Sequence, residues 1–468
     1  MDGAPPSIGD QMLLRARDAA PLRGVLGEAR HLRTLRLGLV VTPGWSDTLR
    51  WLTGQAPLQE LHLDLECFES GGMASLLVRG SPGPSPHLRR LRVRLREYDP
   101  DPVSVLTWLF GSGDAPGIAL GPALRDLDVG LSAMLWCVHP VATGAWTDAL
   151  LRVAGGCLRL ERLRLAMHGA ADAAVPPSPG FAAALQAAWV RCMCLRHLEL
   201  DLPGVRGSAV ALVVGALPPT VRTLSLPMCF GGGGPEVRAA AFPAHLRELR
   251  LHPGWCMAGH RRFPPSLGDR LGERCQRLET LRFVIPPCGG MMGAAHGDLV
   301  LADVLGAVRG CRHSLRHLHL DVPADQMRLG QGSRHLFVVM DTVRRLPRLE
   351  GLRLTVTEDP RGGGHGRLGL QDPVAVSVVL GGLPPTTVDL ALELPVRPGD
   401  LDRLYLPPVP AQLWSCRIVL HGGGLGHRPP PPVLMFARED EWHTSVHADG
   451  WRLQHRTRAL WTVVTSCY

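Results

Sequence analysis

From residue 32 onward the hydrophobic positions follow one recurring pattern, Leu-x-x-Leu-x-Leu. Its clearest copy is Leu315-Arg-His-Leu318-His-Leu320-Asp-Val322-Pro323. Copies begin at Leu32, Leu58, Leu88, Leu124, Leu160, Leu195, Val221, Leu246, Leu278, Leu315 and Leu349. A weaker one lies around Leu390–Leu394, and a short one at Leu401-Asp-Arg-Leu404-Tyr-Leu406. The alternation Leu-x-Leu-x-apolar has the period of a strand and puts the leucines on one face. Between copies the apolar spacing turns helical: Asp47–Leu52, Val103–Phe110, Trp146–Val153, Phe181–Val190, Ala302–Val308 and Leu336–Leu346. Each unit therefore reads as strand, loop, helix, turn. The expected fold class is α/β: a solenoid with parallel strands on a concave face and helices on a convex one.

Neighbouring copies start roughly 25 to 37 residues apart, which overlaps and exceeds the usual range of leucine-rich repeats. The pattern resembles the leucine-rich-repeat superfamily, in the long-repeat form of ribonuclease inhibitors and F-box leucine-rich-repeat proteins. It departs from that family at the turn, where Asn or Cys usually stands three residues after the last leucine. Here those places hold Val40, Glu66, Arg96, Ser132, His168, Pro203, Cys229, Gly254, Pro286, Pro323 and Thr357, of which only Cys229 matches. Prolines end several strands, since proline has no N–H to extend a ladder. Irregular curvature is the expected result.

The expected domains are an N-terminal capping segment (1–31), the solenoid (32–406) and a C-terminal part (407–468). Gln11–Arg30 has room for one helix, with Leu13, Leu14, Leu22 and Leu26 as its candidate buried positions. The C-terminal part opens on a Gly- then Pro-rich linker, His421–Pro432. Beyond it, Asp449-Gly450 is a hairpin turn dipeptide, with Trp442, Thr444 and Val446 on one side and Trp451 and Leu453 on the other. A capping hairpin is expected there. The near-copies Leu217-Pro-Pro-Thr220 and Leu383-Pro-Pro-Thr386 read as turns leading into strands.

Composition adjusts this picture only slightly. The chain of 468 residues is 45% hydrophobic and 20% charged, as in an ordinary globular protein. It contains no lysine and no asparagine, so all 50 basic residues are arginine; a codon-biased genome accounts for that without invoking function. The net charge of +8 permits polyanion binding without demanding it. The 12 cysteines show no CxxC pair. Cys157, Cys194, Cys275 and Cys311 recur just before strands and read as small buried thiols at helix ends, which fits a reducing compartment. Neither a leader peptide nor an apolar run of membrane-spanning length is evident. The reading is a soluble cytoplasmic protein, with the nucleus as the alternative.

The residue between the two strand leucines points away from the core. In order these are Arg36, His62, Arg92, Asp128, Arg164, Glu199, Ser225, Arg250, Arg282, His319 and Arg353. Parallel strands stack about 4.8 Å apart, so the arginines form a row whose guanidinium forks suit carboxylates and phosphates. Glu60, Asp64, Asp126, Asp201, Glu248 and Asp321 flank it. The candidate partner-binding residues are Arg36, His62, Arg92, Arg164, Arg250, Arg282, His319 and Arg353.

His317, His319 and Asp321 share a face, but alternate residues of one flat strand are too far apart to hold a metal alone. No P-loop, HExxH or GxSxG motif is present, so no enzyme activity, metal or cofactor is expected. The expected function is a non-catalytic protein-binding scaffold that favours an acidic partner. The F-box resemblance implies a second reading, a substrate-recognition subunit of a ubiquitin ligase, although only 31 residues precede the first repeat, too few for an F-box. A third is an RNA-binding protein, against which stands an aromatic content of 5%, low for base stacking.

Overall fold

A computed structural model describes residues 11–16, 32–40, 48–49, 51–52, 56–67, 85–97, 109–112, 115–116, 121–133, 141–168, 181–201, 214–227, 242–252, 267–285, 294–323, 334–357, 375–396, 410–422, 432–437 and 461–465. The chain divides into two compact units. The N-terminal unit is Met1–Pro243 with Gly254–His260, and the C-terminal unit is Ala244–Pro253 with Arg261–Tyr468.

The N-terminal unit contains β1 (Gln11–Ala16), β2 (Thr34–Val40), β3 (Glu60–Cys67), β4 (Arg90–Glu97), β5 (Gly111–Ser112), β6 (Ala115–Pro116), β7 (Asp126–Ala133), β8 (Arg162–His168), β9 (His197–Asp201) and β10 (Thr223–Pro227). Its described helices are α1 (Val141–Gly156) and α2 (Phe181–Trp189). Apart from the small antiparallel pair β5–β6, the strands follow one another in chain order and pair parallel. In the C-terminal unit the strands are β11 (Glu248–His252), β12 (Thr280–Val284), β13 (His317–Pro323), β14 (Gly351–Thr357), β15 (Asp389–Val396), β16 (Ser415–Gly422), β17 (Pro432–Ala437) and β18 (Trp461–Thr465). The helices α3 (Leu267–Arg274), α4 (Ala294–Gly310), α5 (Arg334–Arg344) and α6 (Ala375–Gly381) lie between them in the chain. Here β11 to β16 pair parallel in order, and β17 and β18 then continue antiparallel. Within each unit, short parallel strands alternating with helices make the architecture of a repeat solenoid.

A small set of interactions recurs from repeat to repeat. The first leucine of a copy closes a turn by donating its N–H three residues back: Leu124 to Gly121, Leu160 to Cys157, Leu195 to Cys192 and Leu278 to Cys275 (2.9–3.2 Å). Val221 to Pro218 and Thr387 to Pro384 are the same bond, which accounts for the two Leu-Pro-Pro-Thr copies as turns. Thr386 and Thr387 add hydroxyl bonds to the Leu349 carbonyl. One residue further on, each carbonyl accepts two N–H groups of the next repeat: Arg33 from Gln59 and Glu60, Arg125 from Glu161 and Arg162, Arg316 from Glu350 and Gly351. Strand entry is thus pinned before the ladder begins, and a register slip would expose every leucine.

The second and third leucines form the core. Leu35, Leu61, Leu91, Leu127, Leu163, Leu198 and Leu224 are buried side by side, as are Leu249, Leu281, Leu318, Leu352 and Leu390. The helices complete it at spacings of three and four: Ala149, Leu150, Val153 and Ala154 on α1, Leu301, Val304, Leu305 and Val308 on α4, Leu336, Val339, Met340 and Val343 on α5. Truncating one such leucine to alanine costs about 2–5 kcal/mol.

Several sequence expectations change. Gln11–Ala16 is a strand, not the start of a helix; its pairing supplies partners for one edge of β2. The rest of that expected helix lies outside the described residues. The parallel ladder also runs past residue 406 to β16, where Cys416 takes the place of a strand leucine. The short copy at 401–406 and the Asp449-Gly450 hairpin lie outside the described residues. Cys157, Cys275 and Cys311 are buried as expected, but Cys194 is exposed and Cys192 occupies the equivalent place. The turn bond explains why: Cys157, Cys192 and Cys275 all stand three residues before the first leucine, whereas Cys194 stands one before it. Burial pushes the Cys157, Cys275 and Cys311 thiols up to about 12. Helices α3 and α6 gave no helical signal because α3 is mostly polar with glycines at 268 and 272, and α6 is only seven residues long.

Candidate functional site: the outward face of the parallel strands

Strand pairing places the outward residues in register. In the N-terminal unit Arg36 stands opposite His62, His62 opposite Arg92, Arg92 opposite Asp128, Asp128 opposite Arg164, and Arg164 opposite Glu199. In the C-terminal unit Arg250 stands opposite Arg282, Arg282 opposite His319, and His319 opposite Arg353. All eight residues expected to contact a partner therefore lie on such a row, some in each unit. The row continues through Ala391, in the weak copy Leu390–Leu394, to Arg417, which the sequence pattern did not reveal because Cys416 stands where a leucine would.

The arginines of this row are mostly matched by acids within the fold. Asp128 is the hub of the N-terminal unit. Its Oδ2 lies 3.2 Å from Arg92 Nε, 3.0 Å from Arg94 Nη2 and 3.8 Å from Arg164 Nη1. Arg164 Nε also reaches Glu199 at 2.9 Å. One row away, Arg90 lies between Glu60 (3.1 Å) and Asp126 (3.3 Å). In the C-terminal unit Arg282 holds Asp321 at 2.8 Å, Arg353 holds Glu393 at 2.8 Å, and Arg250 holds Glu248 at 2.6 Å. Arg36 and Arg417 are exposed and make no ion pair among the described residues.

Two glycines shape this face. Gly130 stands opposite Arg94, and a Cβ there would collide with the Arg94 guanidinium, which lies across the bare backbone on its way to Asp128. Gly351 stands opposite His317, where a Cβ would come 2.7 Å from Nδ1. Neither glycine was singled out in the sequence, because each occupies an outward position that the Leu-x-Leu alternation leaves open to any residue.

Both histidines of the row lie between arginines. Burial, and then Arg36 and Arg92, hold His62 below the usual imidazole range; Glu60 opposes them. Burial, followed by Arg282 and Arg353, does the same to His319, against Asp321. Each is therefore a neutral polar spacer near neutral pH. Among the described residues no group of three or more His, Cys, Asp or Glu converges as metal ligands would. No described helix is long and apolar enough to cross a membrane.

A face of alternating, in-register charge is chemically suited to recognising another charged surface, through forks that exchange an internal carboxylate for an external one. No protein-family model matches the chain, and no curated protein matches it.

Proposed function

We propose that this chain is a non-catalytic protein-binding scaffold of the leucine-rich-repeat kind. It uses the outward strand faces, as the concave side of a solenoid with helices on the convex side, to hold a partner bearing carboxylates. The observation that carries this reading is the unbroken register of outward polar and charged residues within each unit, from Arg36 to Glu199 and from Arg250 to Arg353. Rigid strands present those side chains at fixed spacing, so little ordering entropy is spent on binding. The free buried thiols support a reducing, intracellular setting.

The test is a quantitative pull-down from the native cell with alanine at Arg36, Arg92, Arg164, Arg250, Arg282 and Arg353. Loss of a specific partner, with the fold intact by circular dichroism, is expected. If every partner is retained, the row has no role in binding.

A further inference from the structure

The arginines with no internal partner point to a second surface, which stands whether or not the strand face binds. In the N-terminal unit the turns that follow α1 and α2 are stacked: the Cys192 thiol donates to the Ala154 carbonyl at 3.1 Å and lies 3.5 Å from that of Cys157. The residues immediately after these two cysteines are Leu158 and Met193, and both face solvent, 46% and 57% exposed. Val190, at the end of α2, is 65% exposed. Three large apolar side chains are thus gathered on one rim where the equivalent C-terminal-unit positions carry Gln276 and Pro347.

Arginine predominates around this rim. Arg159, Arg191 and Arg196 are exposed, and none makes an ion pair among the described residues. Arg92 and Arg164, on the strand face of the same unit, are both matched. The one acid in the same turns, Glu161, is already held by Arg125 at 3.3 Å. Methionine and arginine are both enriched at protein interfaces, and methionine adapts readily to partners of differing shape. The three apolar side chains sit on two turns and form no amphipathic helix of the kind that lies in a membrane surface.

We propose that Leu158, Val190 and Met193, framed by Arg159, Arg191 and Arg196, dock an acidic peptide segment of a partner protein that carries bulky apolar anchors. The carboxylates would take the three free guanidiniums while the apolar side chains cover the rim. Cys194 is exposed between Met193 and Leu195 and so provides a built-in reporter.

The experiment measures fluorescence anisotropy of a short, soluble, labelled peptide of glutamate with interspersed leucine, added to the full chain. A control peptide has lysine for glutamate, and phosphatidylserine vesicles form a third arm. The acidic peptide should bind, weaken with salt, and protect Cys194 from alkylation as read by mass spectrometry. Leu158→Gln with Met193→Gln should weaken it about tenfold or more. Charge reversal by Arg159→Glu, Arg191→Glu and Arg196→Glu should abolish it. Arg344→Ala with Arg345→Ala, exposed at the end of α5 in the other unit, should leave it intact. Any of three results overturns the proposal: binding indifferent to the rim substitutions, binding lost equally in the α5 variant, or association with vesicles and not with peptide.

Discussion

The two units use one strand pattern to build two electrostatic arrangements. In the N-terminal unit the acid lies in the same row as the arginines: Asp128 is directly opposite Arg92 on one side and Arg164 on the other, and Arg94 joins it diagonally. In the C-terminal unit the acid lies one row along. Arg282 is opposite His319 but pairs with Asp321, and Arg353 is opposite Ala391 but pairs with Glu393. A directly opposite acid can be shared between two neighbouring strands. The N-terminal face is therefore a network coupled through Asp128, whereas Arg282 and Arg353 each reach a separate acid.

The largest effect that tests this difference comes from removing the hub. Asp128→Ala leaves three guanidiniums facing one another and should cost about 2–3 kcal/mol, less than a fully buried pair because the arginines remain partly solvated. Asp321→Ala strands only Arg282 and should cost about 1 kcal/mol. Chemical denaturation, with hydrogen exchange on β4, β7 and β13 to localise the loss, distinguishes them. Equal costs would mean that sharing adds nothing. A double-mutant cycle between Arg92 and Arg164 should be non-additive through Asp128, while Arg282 and Arg353 should be additive.

A smaller effect is expected at the glycines. Replacing a strand glycine by alanine usually stabilises, because the unfolded chain loses freedom. Gly130→Ala should instead destabilise by about 1 kcal/mol, since the new methyl pushes Arg94 off Asp128. Gly351→Ala displaces only the His317 ring, and the two tendencies should nearly cancel. Thermal denaturation of the pair of variants reads the sign directly.

Most of the strand framework was legible in the sequence because the leucine period is strict: each copy from Leu32 to Leu349 leads into a strand two residues later. What escaped reading was whatever departed from that period for a physical reason. Gln11–Ala16 looks helical by composition and becomes a strand because the β2 edge needs a partner. Cys416 hid β16, since a thiol fills a leucine's place without a leucine's signature. The row of outward residues was legible too, but not its neutralisation. Whether Asp128 meets one arginine or three depends on register and side-chain reach across strands that stand 36 residues apart in Arg92 and Asp128. The Leu158–Met193 rim was equally hidden: a Leu in the turn segment Cys157-Leu-Arg-Leu160 looks like one more core residue until the turn bond between Leu160 and Cys157 turns it outward.

The smallest effect concerns acid, and it probes what the two faces share. His62 lies among Arg36, Arg92 and Arg90, with Glu60 as its acid; His319 lies among Arg282, Arg353 and His317, with Asp321 as its acid. In both, the folded state favours the neutral ring, so the unfolded chain binds protons more readily. Stability is then full above the ordinary imidazole value of 6.5 and declines as pH falls through it toward the lowered folded value, below which no further loss arises from these rings. His62→Gln and His319→Gln keep a neutral polar side chain in place and should each flatten that slope in a pH series of denaturation midpoints. With His319 in place, Asp321→Ala alone should steepen the His319 contribution by removing the carboxylate that opposes its shift. The same step at His62 requires Glu60→Ala, which also frees Arg90 from one of its two acids. A steeper acid slope in both single variants, Asp321→Ala and Glu60→Ala, would place the rings under control of their flanking charges; a slope unchanged by either acid would leave burial alone as the cause.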